Sequence, residues 1–241
     1  MSSAVPVTLV TGSARGLGLA IARALARRGD RVHVVWRSSR ALVPELEREF
    51  EGRVHRADLE DPSAARALVE RVAAQGGRID HLVHAVGEYV SGPLAEASAG
   101  DLRRMFANNV ETAFHAFGAA RSFLRATRGD AVFLGCAGLD GHRARRETAV
   151  YAAAKSALLV LVRSWAVEEA EHGVRVNLVS PGIVPHAHAA PETHDPAWRV
   201  RIPLGRTGRP DEVAAAVDFL SSSSAAHVTG VDLAVAGGWL L

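Results

Sequence analysis

Two kinds of segment alternate along the chain. Short runs dense in Val, Ile and Leu are followed by longer stretches in which apolar residues recur every three or four positions. The first kind reads as strands buried on both faces, the second as amphipathic helices. The expected strands are Val5–Val10, Arg31–Trp36, Arg53–Ala57, Ile79–Val86, Asp130–Gly135, Val174–Val179 and Val231–Val235. The expected helices are Leu19–Arg28, Leu42–Phe50, Ala64–Ala74, a long stretch from Ala99 to about Thr127, one beginning near Tyr151, and Asp211–Leu220. Strands separated by helices pair in parallel, so the fold class is α/β, a Rossmann-like doubly wound sheet. No repeat, low-complexity tract or linker interrupts the 241 residues, which are expected to form one domain whose halves divide near residue 90. Residues Ile183–Arg209 hold four of the ten Pro and three His, and read as a loop with one short helix.

Composition narrows the function classes. Net charge is only +2, and basic residues are interleaved with acids along the helices, so there is no electrostatic case for a nucleic-acid partner. Cys136 is the only cysteine, which excludes an internal disulfide and suits a reducing, cytoplasmic setting. The N-terminus lacks a basic leader and runs straight into glycines, so it reads as a first strand. No run of 18 apolar residues occurs, Arg163 interrupting the most apolar helix, and no membrane span is expected.

Two motifs carry candidate chemistry. Thr11-Gly12-Ser13-Ala14-Arg15-Gly16-Leu17-Gly18 lies between the first strand and the first helix. Gly12 permits a tight turn, and Gly16 and Gly18 permit close backbone approach, so that the helix N-terminus faces a pyrophosphate. An NAD site of this kind normally has an acid at the end of the second strand to hold the ribose hydroxyl. Here that strand ends in Trp36-Arg37-Ser38-Ser39-Arg40. Arg37 and Ser38, with Arg15 from the glycine turn, suit a 2′-phosphate, so NADP(H) is expected over NAD(H). Asp58-Leu59, after the third strand, lies where an acid either accepts from the adenine amino group or caps the next helix.

The second motif is Tyr151-Ala152-Ala153-Ala154-Lys155. Four-residue spacing puts phenol and ammonium on one helix face. A nearby ammonium favours the phenolate, so a lowered Tyr151 pKa and an acid/base role are expected. The other 27 basic residues are all Arg, so the one Lys stands out as a compact point charge.

These pieces, with Asn109, Asn177, Ser180-Pro181-Gly182, Ile202-Pro203-Leu204-Gly205-Arg206, Val228-Thr229-Gly230 and Gly237-Gly238, resemble the short-chain dehydrogenase/reductase family over nearly the whole chain. The resemblance implies a seven-stranded parallel sheet and an Asn, Ser, Tyr, Lys tetrad. By position, Tyr151 is the proton donor or acceptor and Lys155 holds the nicotinamide ribose. Asn109 binds a water linked to Lys155, and Pro181, Gly182 and Ile183 meet the carboxamide. Gly87 lines the cofactor after His84-Ala85-Val86, where His84 is expected to be structural. The family's serine falls on Cys136 by strand position, or on Gly138 by spacing from Tyr151, so it is replaced either way. A thiol is a weaker donor than a hydroxyl. Ala236 stands where relatives carry Asp. Arg37-Ser38 and the missing serine also resemble the pteridine reductase subgroup, whose acid at the serine position is absent here. His186, His188 and His194 lack the companions of a metal site, and none is expected.

The leading expectation is an NADP(H)-dependent enzyme acting on a carbonyl, imine or alcohol, with quinone and pterin-like substrates in range. Its substrate loop is Pro185–Leu204, and the polar, Arg-rich loop Gly138–Arg146, with Arg143, Arg145 and Arg146, either reaches over the pocket and favours a polar or anionic substrate or is solvated. The alternative is an NADP(H)-binding sensor or partner subunit with weakened catalysis. The helices bearing Asn109 and Tyr151 are expected to pair with copies of themselves in a homodimer or homotetramer.

Overall fold

The computed structural model describes residues 5–139, 141 and 143–240. Positions 140 and 142 of the expected Arg-rich loop therefore lie outside the described residues. Seven strands, β1 (Val7–Thr11), β2 (Arg31–Trp36), β3 (Val54–Arg56), β4 (His81–His84), β5 (Asp130–Leu134), β6 (Arg175–Pro181) and β7 (Asp232–Val235), form one sheet in the order β3-β2-β1-β4-β5-β6-β7. Every pairing is parallel, as strands joined through helices require. The helices are α1 (Gly16–Arg28), α2 (Val43–Phe50), α3 (Pro62–Gly76), α4 (Ala99–Phe106), α5 (Thr112–Thr127), α6 (Ala149–Glu168), α7 (Trp198–Arg201) and α8 (Pro210–Leu220).

Alternation along each strand feeds two cores. Leu9, Leu82, Ala131 and Phe133 point to one face, against Leu68 and Val72 of α3, Phe117 and Leu124 of α5, and Leu158 and Val162 of α6. Val10, Val34, Val83 and Val132 point to the other, against Ile21 and Leu25 of α1, Leu46 and Phe50 of α2, and Val213 and Val217 of α8. Both faces are covered, so the strands read as continuous apolar runs. β3 and β4 are shorter than expected at both ends. Helix α6 is long and apolar enough to cross a bilayer by composition, but half of that stretch is buried inside the fold, the pattern of a core helix.

The expected helical stretch from Ala99 to about Thr127 is helical throughout, with a π-turn at Ala107–Glu111 between α4 and α5. Asn109 Nδ2 donates to Met105 O at 3.1 Å, and the Thr112 hydroxyl donates to Asn108 O at 2.6 Å. Side chains thus satisfy carbonyls freed by the wider turn, and such turns recur at functional sites.

His33 and His55 are buried on β2 and β3, with rings stacked at 5.3 Å and Nδ1 to Nε2 at 3.0 Å. One ring donates and the other accepts, so both are neutral, and burial holds each at about 4. The unfolded chain takes up these protons near pH 6.5 while the folded chain does not, so stability is complete above that pH and falls as pH drops toward 4. The urea midpoint should fall steadily between pH 7 and pH 4.5. A His33→Gln/His55→Gln double variant, less stable at pH 7, should show a visibly shallower decline.

Candidate active site

Sheet order reverses between β1 and β4, and the cleft lies at the C-terminal ends of these strands, where doubly wound sheets bind ligands. It has a volume of about 690 Å³ and runs without a break from the glycine turn to the start of α6. Gly12, Arg15, Gly16, Leu17 and Gly18 line one end; Cys136, Tyr151 and Lys155 line the other; Pro181, Gly182 and Ile183 close it from β6.

The glycine turn is built for close approach. Gly12 has φ +66, and a Cβ there would lie 2.7 Å from the carbonyl of Ala85. A Cβ at Gly18 would run into the carbonyl oxygen of Gly12. Both positions therefore require glycine, and the N-terminus of α1 is left open to the cleft. Ser13 lies beneath the turn: its hydroxyl donates to Val10 O at 2.6 Å and accepts from Val35 N at 2.8 Å. Its side chain thus stitches β1 to β2 and does not line the cleft.

Four residues converge beside α6. Lys155 is buried, and its Nζ donates to Leu134 O at 2.7 Å. Asn109 is buried behind Gly87, its Nδ2 also donating to Glu88 O at 3.1 Å. A Cβ on Gly87 would lie 2.6 Å from Asn109 Oδ1 and 3.1 Å from Lys155 Nζ. Only glycine at 87 lets both polar atoms reach this point. Among the described residues Asn109 Oδ1 has no hydrogen-bond partner, so it is an acceptor available to water or ligand. Tyr151 packs edge-on against Tyr89 at 5.1 Å.

The expected lowering of the Tyr151 pKa is overturned. Burial pushes the phenol above its ordinary value, and charge on Cys136 and Tyr89 would add to the rise. Lys155 Nζ is 5.8 Å from the Tyr151 ring centre and donates to a carbonyl, so it does not offset desolvation. The ammonium carries the functional shift instead: burial lowers Lys155 to about 8.

Cys136 lines the cleft with Tyr151, and burial raises its thiol to about 11, which leaves a neutral group and no thiolate nucleophile. Gly138, the alternative serine position, has φ +74 and packs against the Arg145 guanidinium. His84 is structural. The Thr112 hydroxyl spends its proton on Asn108 O, so His84 Nε2 donates to it at 3.2 Å and His84 Nδ1 accepts from Thr11 at 2.9 Å. Burial holds this ring neutral, at about 3. His186 and His188 line the cleft. Among the described residues no group of His, Cys, Asp or Glu is disposed to hold a metal ion.

At the far end Arg37, Ser38, Asp58 and Leu59 line the cleft together. Asp58 does not cap α3; Asp61 does, accepting from Ser63 N at 2.8 Å. Arg37 Nη1 is 2.8 Å from Glu60 Oε1 and 3.7 Å from Asp58 Oδ1. Glu60 also accepts from Asn108 Nδ2 at 3.1 Å. The sequence reading missed Glu60, which lies beyond the strand end where acids are sought. It also missed Tyr89 and Trp239. Tyr89 follows Gly87 closely enough for the motif to have flagged it, whereas Trp239 reaches the cleft from the far end of the chain.

The family described as Enoyl-(Acyl carrier protein) reductase matches residues 12–240. The chain is 35% identical to L-fucose dehydrogenase of Oryctolagus cuniculus over 245 residues, covering 96% of this chain and 84% of that protein. It is 34% identical to cis-4-hydroxycyclohexanecarboxylate dehydrogenase of Sinomonas cyclohexanicum, covering 97% and 96%. A solved structure of a blue fluorescent protein from a metagenomic library, in complex with NADPH, superposes with TM-score 0.87 at 32% identity, covering 98% of each chain. With the glycine turn, the sheet order and the Tyr151/Lys155 pair meeting in one cleft, these likenesses establish that the chain belongs to the short-chain dehydrogenase/reductase family of oxidoreductases.

Proposed function

We propose that the protein is an NADP(H)-dependent reductase of a small carbonyl or imine compound, also able to oxidise the corresponding alcohol. The observation that carries this reading is the unbroken cleft joining a glycine turn that excludes side chains to a partly buried Tyr151 and a buried Lys155. When bound, the nicotinamide supplies the hydride. The chain supplies the rest. Gly12, Gly16 and Gly18 admit the pyrophosphate to the N-terminus of α1. Lys155 orients ribose hydroxyls with the donors it does not spend on Leu134. Asn109 Oδ1 holds a water beside Lys155, a route by which protons are replaced.

Tyr151 delivers a proton to the substrate oxygen. A phenol kept protonated by its surroundings is a competent donor at neutral pH, which favours the reductive direction. Cys136, a weak donor, steadies the same oxygen less firmly than a hydroxyl would. The sensor alternative draws only on Cys136, whereas the retained pair in the cleft favours catalysis. Phe114, Val160 and Val167, exposed on α5 and α6, provide the faces for assembly into a homodimer or homotetramer.

The NADPH complex of the structural relative supports NADP(H), as do Arg15 and Arg37 in the cleft. Glu60 works against this preference by holding Arg37. Neutralising it should strengthen NADPH binding about two- to fivefold and leave NADH almost unchanged, the scale of an exposed ion pair. Fluorescence titration of Glu60→Gln with both cofactors checks this; equal gains for NADPH and NADH would refute the role. The reading as a whole is tested by following NADPH oxidation with a panel of ketones, aldehydes, quinones and pterins. Tight NADPH binding without turnover on any of them would instead support the sensor.

A further inference from the structure

We infer that Arg145 is the receptor for a carboxylate carried by the carbonyl substrate, so that the preferred substrates are oxo acids. This rests on the reductase reading above and specifies its substrate class. Arg145 lies in the loop between β5 and α6 and lines the catalytic end of the cleft with Cys136, Thr148, Tyr151 and Trp239. Its Nη2 donates to Ala137 O at 2.8 Å and to Gly138 O at 2.6 Å. One corner of the guanidinium is thereby fixed to the end of the catalytic strand, and the remaining donors of the planar fork are left for a partner.

Room for this arrangement is made by Gly138. A Cβ at that position would lie 2.7 Å from Arg145 Nη2 and 2.9 Å from Leu240 Cβ, and φ +74 disfavours any other residue. Among the described residues no carboxylate lies within ion-pair distance of Arg145. Arg28, Arg125 and Arg175, also partly buried, each hold one. Nor do the neighbouring groups take its place: the Lys155 donors not spent on Leu134 O are assigned to the ribose, and Glu88, the acid on the cleft wall, pairs with Arg104 at 3.1 Å and not with Arg145. The positive charge is felt at the reacting end, where it opposes the burial that raises the Cys136 thiol. An arginine anchored by two carbonyls, partly desolvated and with no acid beside it among the described residues, is suited to a charge-assisted hydrogen bond from Nη1 or Nε to a carboxylate.

The experiment compares acetoacetate and levulinate with their methyl esters, which keep the carbonyl and lose the charge. In the wild-type enzyme kcat/KM for at least one acid should exceed that for its ester by about tenfold or more, the scale of a charge-assisted hydrogen bond. Arg145→Gln and Arg145→Met should bring this ratio close to one, chiefly by raising KM for the acid. Arg145→Lys should keep part of the preference. Equal acid and ester kinetics in the wild type would overturn the inference, as would equal losses on both substrates in the variants, the mark of a purely structural arginine. Calorimetric titration of levulinate into the NADP+-loaded protein gives a readout that needs no turnover. Binding in the wild type and a loss of about tenfold or more in Arg145→Gln support the receptor. Undetectable binding in the wild type, or affinity equal in both, refutes it. Failure of the reductase reading is separately visible, as absence of NADPH oxidation with every neutral carbonyl.

Discussion

Tyr151→Phe should abolish carbonyl reduction while leaving NADPH affinity nearly unchanged. The substitution keeps the ring that packs against Tyr89 at 5.1 Å and removes only the hydroxyl. If that hydroxyl delivers the proton, kcat/KM should fall by on the order of a hundred- to ten-thousandfold, the usual contribution of a positioned general acid. Steady-state rates with the best carbonyl of the panel, beside a fluorescence titration of NADPH, separate chemistry from binding. A loss of tenfold or less would mean that another donor serves the substrate oxygen. Because burial raises the phenol's pKa, the wild-type reductive rate should show no loss of the Tyr151 proton near neutral pH.

Lys155→Met should be nearly as damaging, but through a different parameter. The ammonium is buried, joins α6 to the end of β5 through Leu134 O, and stands at the cleft beside Gly87. Its removal should weaken cofactor binding as well as turnover, with a combined loss in kcat/KM on the order of a hundredfold or more. The wild-type pH profile carries the same signature. Burial lowers Lys155 to about 8, so the group is charged below that pH and neutral above it. The charged form holds the ribose, so kcat/KM should be level between pH 6 and 7.5 and decline as pH rises through about 8. This limb reports a free-enzyme group, and it should be missing from whatever activity Lys155→Met retains. A profile that climbs through pH 8 would contradict the assignment, because deprotonation would then be activating.

What sequence made legible follows from the range of the forces involved. Strand and helix periodicity is local, so the residues alone convey the parallel sheet and the glycine turn. The link between Tyr151 and Lys155 is one helical turn, also local. What sequence did not convey is which group wins when two ionisable side chains are buried together. Proximity of Lys155 suggested an acidified phenol, but desolvation raises Tyr151 and lowers Lys155, and that depends on everything packed around them. The π-turn at Asn108-Asn109 was hidden because its freed carbonyls are satisfied by Asn109 and Thr112, residue types that also occur in ordinary helices. Ser13 sits within the glycine motif, yet its hydroxyl serves the seam between β1 and β2. Glu60, Trp239 and the bond between Arg145 and Ala137 are products of tertiary folding, with no spacing that announces them.

The proposed function needs one cleft to unite the cofactor seat and the proton donor, and a crystal structure of the NADP+ complex tests this most directly. It predicts the pyrophosphate at Gly12–Gly18, the 2′-phosphate between Arg15 and Arg37, and the nicotinamide ribose on Lys155, with the Tyr151 hydroxyl beside the nicotinamide ring. A nicotinamide seated away from Tyr151, with Lys155 touching no part of the cofactor, would contradict it.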